Sequence, residues 1–110
     1  MWCDAAASDE VAPGGVLAVQ VSGTDLVLWR AGSGRLSVCE QRCPHQWADL
    51  GSVGAVDGEE LVCLSHFWRF ALDGSGSKLS AAGRRDEKSS IEVRTVRERG
   101  GRIEIEMNVP

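Results

Sequence analysis

Several classes of function are disfavoured by what this sequence lacks. It has no tyrosine and only two histidines, and its 12 lysines and arginines are outnumbered by 16 aspartates and glutamates, which leaves a net charge of −4. Without a basic excess, the chain lacks the electrostatic signature of nucleic-acid binding. No apolar run approaches the roughly 18 residues that a membrane-spanning helix needs. We therefore expect neither nucleic acid nor membrane among its partners.

A secretory signal is not evident either. The first ten residues, MWCDAAASDE, have no basic start and no adequate apolar segment, and such a signal needs both. We therefore expect a cytoplasmic protein, in which the four cysteines are better suited to metal binding than to disulfides. A length of 110 residues is typical of one domain, and we expect a single domain over residues 1–110.

Short apolar runs separated by glycine-containing turns predict an all-β fold. The candidate strands cover residues 16–21, 26–29, 35–40, 53–56, 61–63, 67–72, 91–95 and 102–107. The last two strands alternate apolar with polar residues, which indicates a half-buried hairpin. Strands of this kind pack as a small antiparallel sandwich or open barrel.

Three further features receive simple interpretations. Residues 75–90 are rich in serine, glycine and charge, and we predict a solvated surface loop there. Cys39 is predicted to be a packed core thiol. Cys3 is predicted to lie in a frayed terminus.

Cysteine and histidine are concentrated in two short clusters. Cys43 and His45 are separated by one residue, whereas Cys63 and His66 are separated by two. These histidines are the only two in the chain, and the full pattern reads C-x-H-x17-C-x-x-H. Two cysteines on one iron and two histidines on the other form the ligand set of a Rieske [2Fe–2S] centre, and the spacing resembles that family. We predict that these four residues bind metal.

Two alternatives to an iron–sulfur centre are open on the residues alone. Zinc also accepts mixed sulfur and nitrogen ligands, although zinc modules usually place two cysteines in one arm and two histidines in the other. Here each arm holds one of each, and a C-x-H arm is too short to resemble a zinc knuckle. The other alternative is coincidence, with unliganded thiols and exposed histidines.

The flanking residues resemble the Rieske ferredoxins of soluble di-iron monooxygenases of the toluene and alkene type. Those proteins pair a C-P-H-Q arm with an H-hydrophobic-W-x-F arm. Here the arms read Cys43-Pro44-His45-Gln46 and His66-Phe67-Trp68-Arg69-Phe70. The resemblance runs from about residue 13 to residue 107.

The resemblance implies a fold and a cofactor arrangement. One Rieske-type [2Fe–2S] cluster per chain would be held by a cluster-binding subdomain of two hairpin loops, at about residues 39–70, inserted into a β-sandwich. Cys43 and Cys63 would hold the buried iron. His45 and His66 would hold the outer iron near the surface.

The same resemblance implies an electron carrier rather than an enzyme. Rieske oxygenases pass electrons to a further iron that is held by two histidines and a carboxylate, but both histidines of this chain are assigned to the cluster. We expect a soluble, monomeric ferredoxin that takes single electrons from an NADH-dependent flavoprotein reductase. It would deliver them to a terminal oxygenase, preferably a di-iron hydrocarbon monooxygenase. The alternatives are the ferredoxin of an aromatic-ring-hydroxylating dioxygenase and a small Rieske subunit of a larger reductase or oxidase.

Departures from the respiratory Rieske proteins predict a low reduction potential. Those proteins carry a disulfide across the cluster, where this chain has Ala48 and Ser65, and hydroxyl donors where it has Trp68 and Phe70. Fewer donors stabilise the reduced state less, so we expect a potential near the lower end of the Rieske range, about −150 mV. Trp68 is predicted to pack under the loops, whereas Trp47 and Phe67 fit equally well as packing residues or as an apolar rim for docking.

Overall fold

The computed structural model describes residues 1–107, and its regular structure is almost entirely β. Twelve strands follow one another in the order β1 Trp2–Ala7, β2 Val16–Val21, β3 Thr24–Arg30, β4 Leu36–Glu40, β5 Gly54–Asp57, β6 Glu60–Cys63, β7 Arg69–Ala71, β8 Gly76–Leu79, β9 Arg85–Lys88, β10 Val93–Arg94, β11 Val96–Arg99 and β12 Arg102–Glu106. A 3-10 turn at Ser8–Glu10 and a four-residue helix α1, Leu50–Val53, complete the described elements. The predicted all-β class is confirmed.

The strands form three antiparallel sheets, and the middle sheet is covered on both faces. Its order is β10-β4-β3-β2, whereas the outer sheets run β1-β12-β11 and β5-β6-β7-β8-β9. Alternate residues of β3 point to opposite sides: Leu26 and Leu28 pack with the three-stranded sheet, and Val27 and Trp29 pack toward the five-stranded sheet. A strand buried on both faces needs a continuous apolar run, which explains why the sequence of β3 does not alternate.

The stretch predicted as a loop at residues 75–90 is instead largely a hairpin, so that prediction was wrong. β8 pairs with β9 from Gly76 opposite Lys88 to Leu79 opposite Arg85. Because this hairpin lies at the outer edge of the five-stranded sheet, half of its strand residues are exposed, and its sequence shows no apolar alternation. Backbone pairing to β7 determines the structure here, and propensity is a weak guide at such an edge.

A glycine allows this sheet to approach the middle sheet closely. Gly74, between β7 and β8, has φ of +90°, and a Cβ there would collide with the carbonyl oxygen of Ile91. The Gly74 carbonyl accepts a 2.9 Å hydrogen bond from the Ile91 N–H. Only glycine adopts this conformation at this distance without strain.

The two cysteines outside the clusters lie in paired strands. Cys3 was predicted to be frayed, but it lies in β1 opposite Ile105 of β12, because this terminal strand completes the three-stranded sheet. Cys39 is buried in the core beneath the loops, as predicted. Burial, together with the nearby charges of Glu40 and Cys43, raises the pKa of the Cys39 thiol to about 12, so it remains protonated.

Candidate metal centre

The four predicted ligands lie on two loops with the same backbone hydrogen bonds. Loop 1 (Cys43–Ala48) follows β4, and loop 2 (Cys63–Trp68) joins β6 to β7. In loop 1 the Trp47 N–H donates to the Cys43 carbonyl at 2.8 Å, and the Cys43 N–H donates to the Ala48 carbonyl at 2.9 Å. In loop 2 the equivalent bonds join Phe67 to Cys63 at 2.6 Å and Cys63 to Trp68 at 2.8 Å. Each loop is therefore a closed turn that begins at its cysteine.

A residue in left-handed backbone conformation occupies the fifth position of each turn. Trp47 has φ of 61° and Phe67 has φ of 64°, a region that costs a non-glycine residue roughly 1–2 kcal/mol. Their side chains are 72% and 59% exposed, respectively. The structure thus places both aromatic groups on the surface rather than in the core.

The two thiols meet below the loops. Cys43 and Cys63 are 1% and 2% exposed and belong to the same buried cluster, where each lies close enough to act on the other. Burial raises the pKa of Cys43 to about 11, and the proximity of Cys63 adds to this, whereas the backbone N–H groups of His45 and Gln46 hydrogen-bond to the sulfur and oppose the shift. Two thiols held together in a core, with amide donors aimed at one of them, suit thiolate ligands of a shared metal.

The two imidazoles meet above the thiols, toward solvent. The ring centroids of His45 and His66 lie 4.7 Å apart with planes at 89°. His45 is exposed and His66 is partly exposed. Desolvation, followed by the positive charges of His66, Lys78 and Lys88, lowers the pKa of His45, which favours the neutral form that binds metal.

Trp68 of loop 2 supports the histidine of loop 1. Its ring is stacked on His45 with centroids 4.7 Å apart and planes at 16°, and its apolar body packs against the core beneath the loops. The ammonium of Lys88 lies 5.9 Å from the Trp68 ring centroid. The predicted packing of Trp68 is confirmed, and the structure adds its contact with His45.

Different interactions anchor the two loops to the fold. After loop 1, the Asp49 carboxylate caps α1 by accepting from the Gly51 N–H at 2.9 Å, and it also accepts from Gln41 Nε2 at 2.7 Å. After loop 2, the Arg69 guanidinium donates to Glu60 at 2.8 Å and pairs with Asp57. Sequence reasoning missed Asp49, Arg69 and the lysines; an Asp directly before an apolar residue at a helix start was a usable signal for the cap.

The donors fit a two-iron cluster better than a single ion. Within residues 1–107, no three His, Cys, Asp or Glu side chains converge closely enough to hold one metal ion. A tetrahedral zinc site needs four ligands around one point, whereas a Rieske cluster needs two thiolates at one iron and two imidazoles at the other. A buried thiol pair beneath an exposed imidazole pair meets the second requirement.

Comparison with known proteins gives the class of protein. The family model for the Rieske [2Fe-2S] domain matches residues 1–97. The chain therefore belongs to the Rieske [2Fe–2S] domain family, and a Rieske-type [2Fe–2S] cluster is the cofactor that this membership implies.

Relatives and solved structures agree with this assignment. The chain is 44% identical over 64 residues to the 4beta-methylsterol monooxygenase of Methylococcus capsulatus, over 58% of this chain and 16% of that protein. It superposes on dicamba monooxygenase with a TM-score of 0.82 and 26% identity, over 96% of this chain and 33% of that one. A chain from a complex of reduced oxygenase and oxidized ferredoxin in carbazole 1,9a-dioxygenase matches with a TM-score of 0.75 over 94% and 91% of the two chains; at 24% identity this likeness concerns the fold.

The length of the matched relatives is much greater than that of this chain. The chain spans between 12% and 22% of the length of the curated relatives to which it is compared.

Among the described residues, no helix has both the length and the apolar character needed to cross a membrane.

Proposed function

We propose that Cys43, His45, Cys63 and His66 bind one Rieske-type [2Fe–2S] cluster and that the chain transfers single electrons through it. The observation that carries this proposal is the pair of buried thiols beneath a pair of solvent-facing imidazoles, on two loops with the same backbone. The cluster supplies a one-electron redox couple. The protein supplies the ligands, the amide donors at Cys43, and an apolar floor that keeps water from the sulfurs.

The exposed edge of His45 is the proposed route for the electron. A ligand at the surface brings the redox centre close to a partner, and His45 is more exposed than the other three proposed ligands. Trp68 holds one face of that imidazole, which leaves its edge open. We propose that residues 1–110 act as one domain, with the cluster-binding subdomain at about residues 39–70.

The surroundings of the loops support a low potential within the Rieske range. Trp68 and Phe70 have no hydroxyl, so neither position offers a hydroxyl donor to the cluster. We expect a midpoint potential near −150 mV, the lower end of the range for such centres.

The preferred partners are an NADH-dependent flavoprotein reductase as donor and an oxygenase as acceptor. The C-P-H-Q and H-F-W-R-F arms favour a di-iron hydrocarbon monooxygenase as that acceptor. We propose that the carrier is a monomer. Because its proposed electron donor uses NADH, we also propose that it acts in the cytoplasm. In this role the chain transfers electrons and carries no second catalytic iron.

A second candidate function is the electron-entry part of a Rieske oxygenase. It is favoured by the sterol monooxygenase, to which the chain is 44% identical over 64 residues. In that case the partner iron site would be of the two-histidine, one-carboxylate type, on another part of the system.

The first test is low-temperature EPR of the dithionite-reduced protein, with iron, sulfide and zinc assayed on the same sample. We expect two irons and two sulfides per chain and a rhombic signal with an average g of about 1.9, as mixed histidine and cysteine ligation produces. A silent sample with stoichiometric zinc and no sulfide would overturn the proposal and leave a structural metal module.

The second test separates the two candidate acceptors. Purified protein is combined with an NADH-dependent reductase and either a di-iron hydroxylase or a Rieske oxygenase, and product formation is measured. Turnover with the di-iron hydroxylase supports the preferred partner. Turnover only with the Rieske oxygenase supports the ferredoxin of an aromatic-ring-hydroxylating dioxygenase, whereas obligate co-purification with a large subunit supports the second candidate.

A further inference from the structure

The only two lysines of the chain lie beside the proposed electron route. Lys78 is on β8 and Lys88 is on β9. The pairing of Gly76 with Lys88 and of Lys78 with Asp86 puts both lysines on the same face of the hairpin, because directly opposed residues share a face. The charges of both lysines act on His45, and Lys88 Nζ lies 5.9 Å from the Trp68 ring that is stacked on His45.

Neither lysine is neutralised within the part of the chain that the structure describes. No carboxylate of residues 1–107 lies within ion-pair distance of Lys78 or Lys88, whereas most arginines are paired with acids. Asp86, which faces Lys78 across the hairpin, is instead paired with Arg84 at 3.3 Å. Two free ammonium groups therefore stand at the exposed edge of the site.

This local charge opposes the charge of the whole chain. The net charge is −4, which would repel an acidic partner from most directions. At physiological salt the Debye length is about 8 Å, so a docking partner responds to the charges near the contact more than to the total. Selective attraction at one edge is the arrangement that steers association between redox proteins.

We propose that Lys78 and Lys88 form a recognition site for an acidic surface of the protein that exchanges electrons at His45. The inference rests on the proposed electron-carrier function. The partner is a redox protein with carboxylates around its own electron-transfer site, bound through a small and transient interface of the kind typical of such encounters. The exposed rings of Trp47 and Phe67, which lie on the same two loops as the histidines, would add apolar contact.

Small oxidants of opposite charge test the local field directly. Reduced holoprotein is mixed by stopped flow with hexacyanoferrate(III), an anion, or with tris(phenanthroline)cobalt(III), a cation, over a range of ionic strengths. We expect the wild-type rate with the anion to fall as salt increases. The variant Lys78→Gln/Lys88→Gln should react roughly tenfold more slowly with the anion at low salt, faster with the cation, and with a reversed salt dependence.

The matched control removes two positive charges elsewhere. Arg35 and Arg99 are exposed and lie outside both loops and the β8–β9 hairpin. Arg35→Gln/Arg99→Gln has the same net charge as the lysine variant and should retain wild-type behaviour with both oxidants. Equal rates in the two double variants would overturn the proposal, because total charge would then explain the effect.

Two further readouts separate docking from other roles of the lysines. A change in midpoint potential alone would shift the rates with both oxidants in the same direction, whereas a local field shifts them in opposite directions. Hexaglutamate should slow the reaction of wild type with the anion and leave the lysine variant unaffected; equal inhibition of both proteins would overturn the proposal. EPR of each sample reports the cluster. A missing cluster in wild type refutes the electron-carrier function, whereas an intact cluster with unchanged rates in the lysine variant refutes only the lysine site.

Discussion

The two ligand loops have one backbone design but differ in what they present and in what supports them. Both begin at a buried cysteine and close with the same pair of hydrogen bonds. The histidine is the third residue of loop 1 and the fourth residue of loop 2. Backbone geometry thus fixes where the thiols lie, and the spacing of the histidines decides how the rings meet at 89°.

The loops also depend on each other. Trp68 at the end of loop 2 covers one face of His45 in loop 1. The two cysteines are buried in the same core cluster. Loop 1 is fixed by the hydrogen bonds of Asp49, whereas loop 2 is fixed by the ion pairs of Arg69. The two loops therefore have the same backbone but different anchoring interactions. Variants can test the backbone and the anchors separately.

Removing either thiol should have the largest effect, and the same effect in both loops. Cys43→Ser and Cys63→Ser are expected to abolish cluster assembly, because each leaves one iron with a single thiolate. Iron, acid-labile sulfide and the EPR signal report the loss. Cys3→Ser is the matched control and should keep the full cluster. Retention of the cluster in either loop variant would refute the ligand assignment.

Exchanging an imidazole for a thiolate should lower the midpoint potential in both loops. His45→Cys and His66→Cys each add one negative charge to the cluster, and four-cysteine clusters lie near −400 mV. We expect a fall on the order of 100 mV for each variant, measured by voltammetry. A potential that stays constant or rises in either variant would contradict the corresponding assignment.

Removing the cap of α1 should weaken the support of loop 1 alone. Asp49→Ala is expected to lower the free energy of unfolding by about 1 kcal/mol, the usual value of a lost N-cap, as measured by urea denaturation. The exposed Asp9→Ala is the control and should be near neutral. If the two variants lose the same stability, Asp49 is not an anchor.

Protonation of the Asp49 carboxylate at low pH should remove the same anchor of loop 1. Hydrogen bonding from Gln41, partly offset by desolvation and assisted by Gly51 and Ser52, lowers the pKa of Asp49. Because the pKa of Asp49 is lower in the folded state, its charged carboxylate stabilises the protein fully at pH values above the ordinary pKa of about 3.8. This stabilisation is lost as the pH falls through the folded-state pKa. The stability difference between wild type and Asp49→Ala should therefore shrink below about pH 4. A constant difference down to pH 2 would contradict this.

Relieving the backbone strain at the two left-handed residues should have the smallest effect on the free energy of unfolding. Trp47→Gly and Phe67→Gly remove strain of roughly 1–2 kcal/mol, of which the greater chain entropy of glycine cancels about 0.5–1 kcal/mol. Each variant should gain about 0.5 kcal/mol in denaturation. The alanine variants, which keep the strain, should show no gain. Unequal gains would mean that the two turns are not equivalent.

Much of the fold and the centre followed from sequence patterns, because those patterns reflect local physical requirements. Period-two alternation in residues 102–107 predicted a half-buried strand, and β12 occupies most of that range. The C-x-H and C-x-x-H spacings predicted two loops, and the structure brings the thiols together and the imidazoles together. The polar hairpin at β8–β9 was missed because its strands are determined by pairing with a neighbour.

What the sequence determined by itself was the all-β class, the strand positions near the loops and the positions of four candidate donors, because periodicity and donor chemistry are properties of short segments. Tertiary structure alone decided that Trp68 stacks on His45, that Trp47 and Phe67 face solvent, and that Lys78 and Lys88 stand near the histidines without an acidic partner among residues 1–107. These relations join residues from separate strands. They arise only when the sheets pack, since contact, burial and local electric field depend on distances in space rather than along the chain.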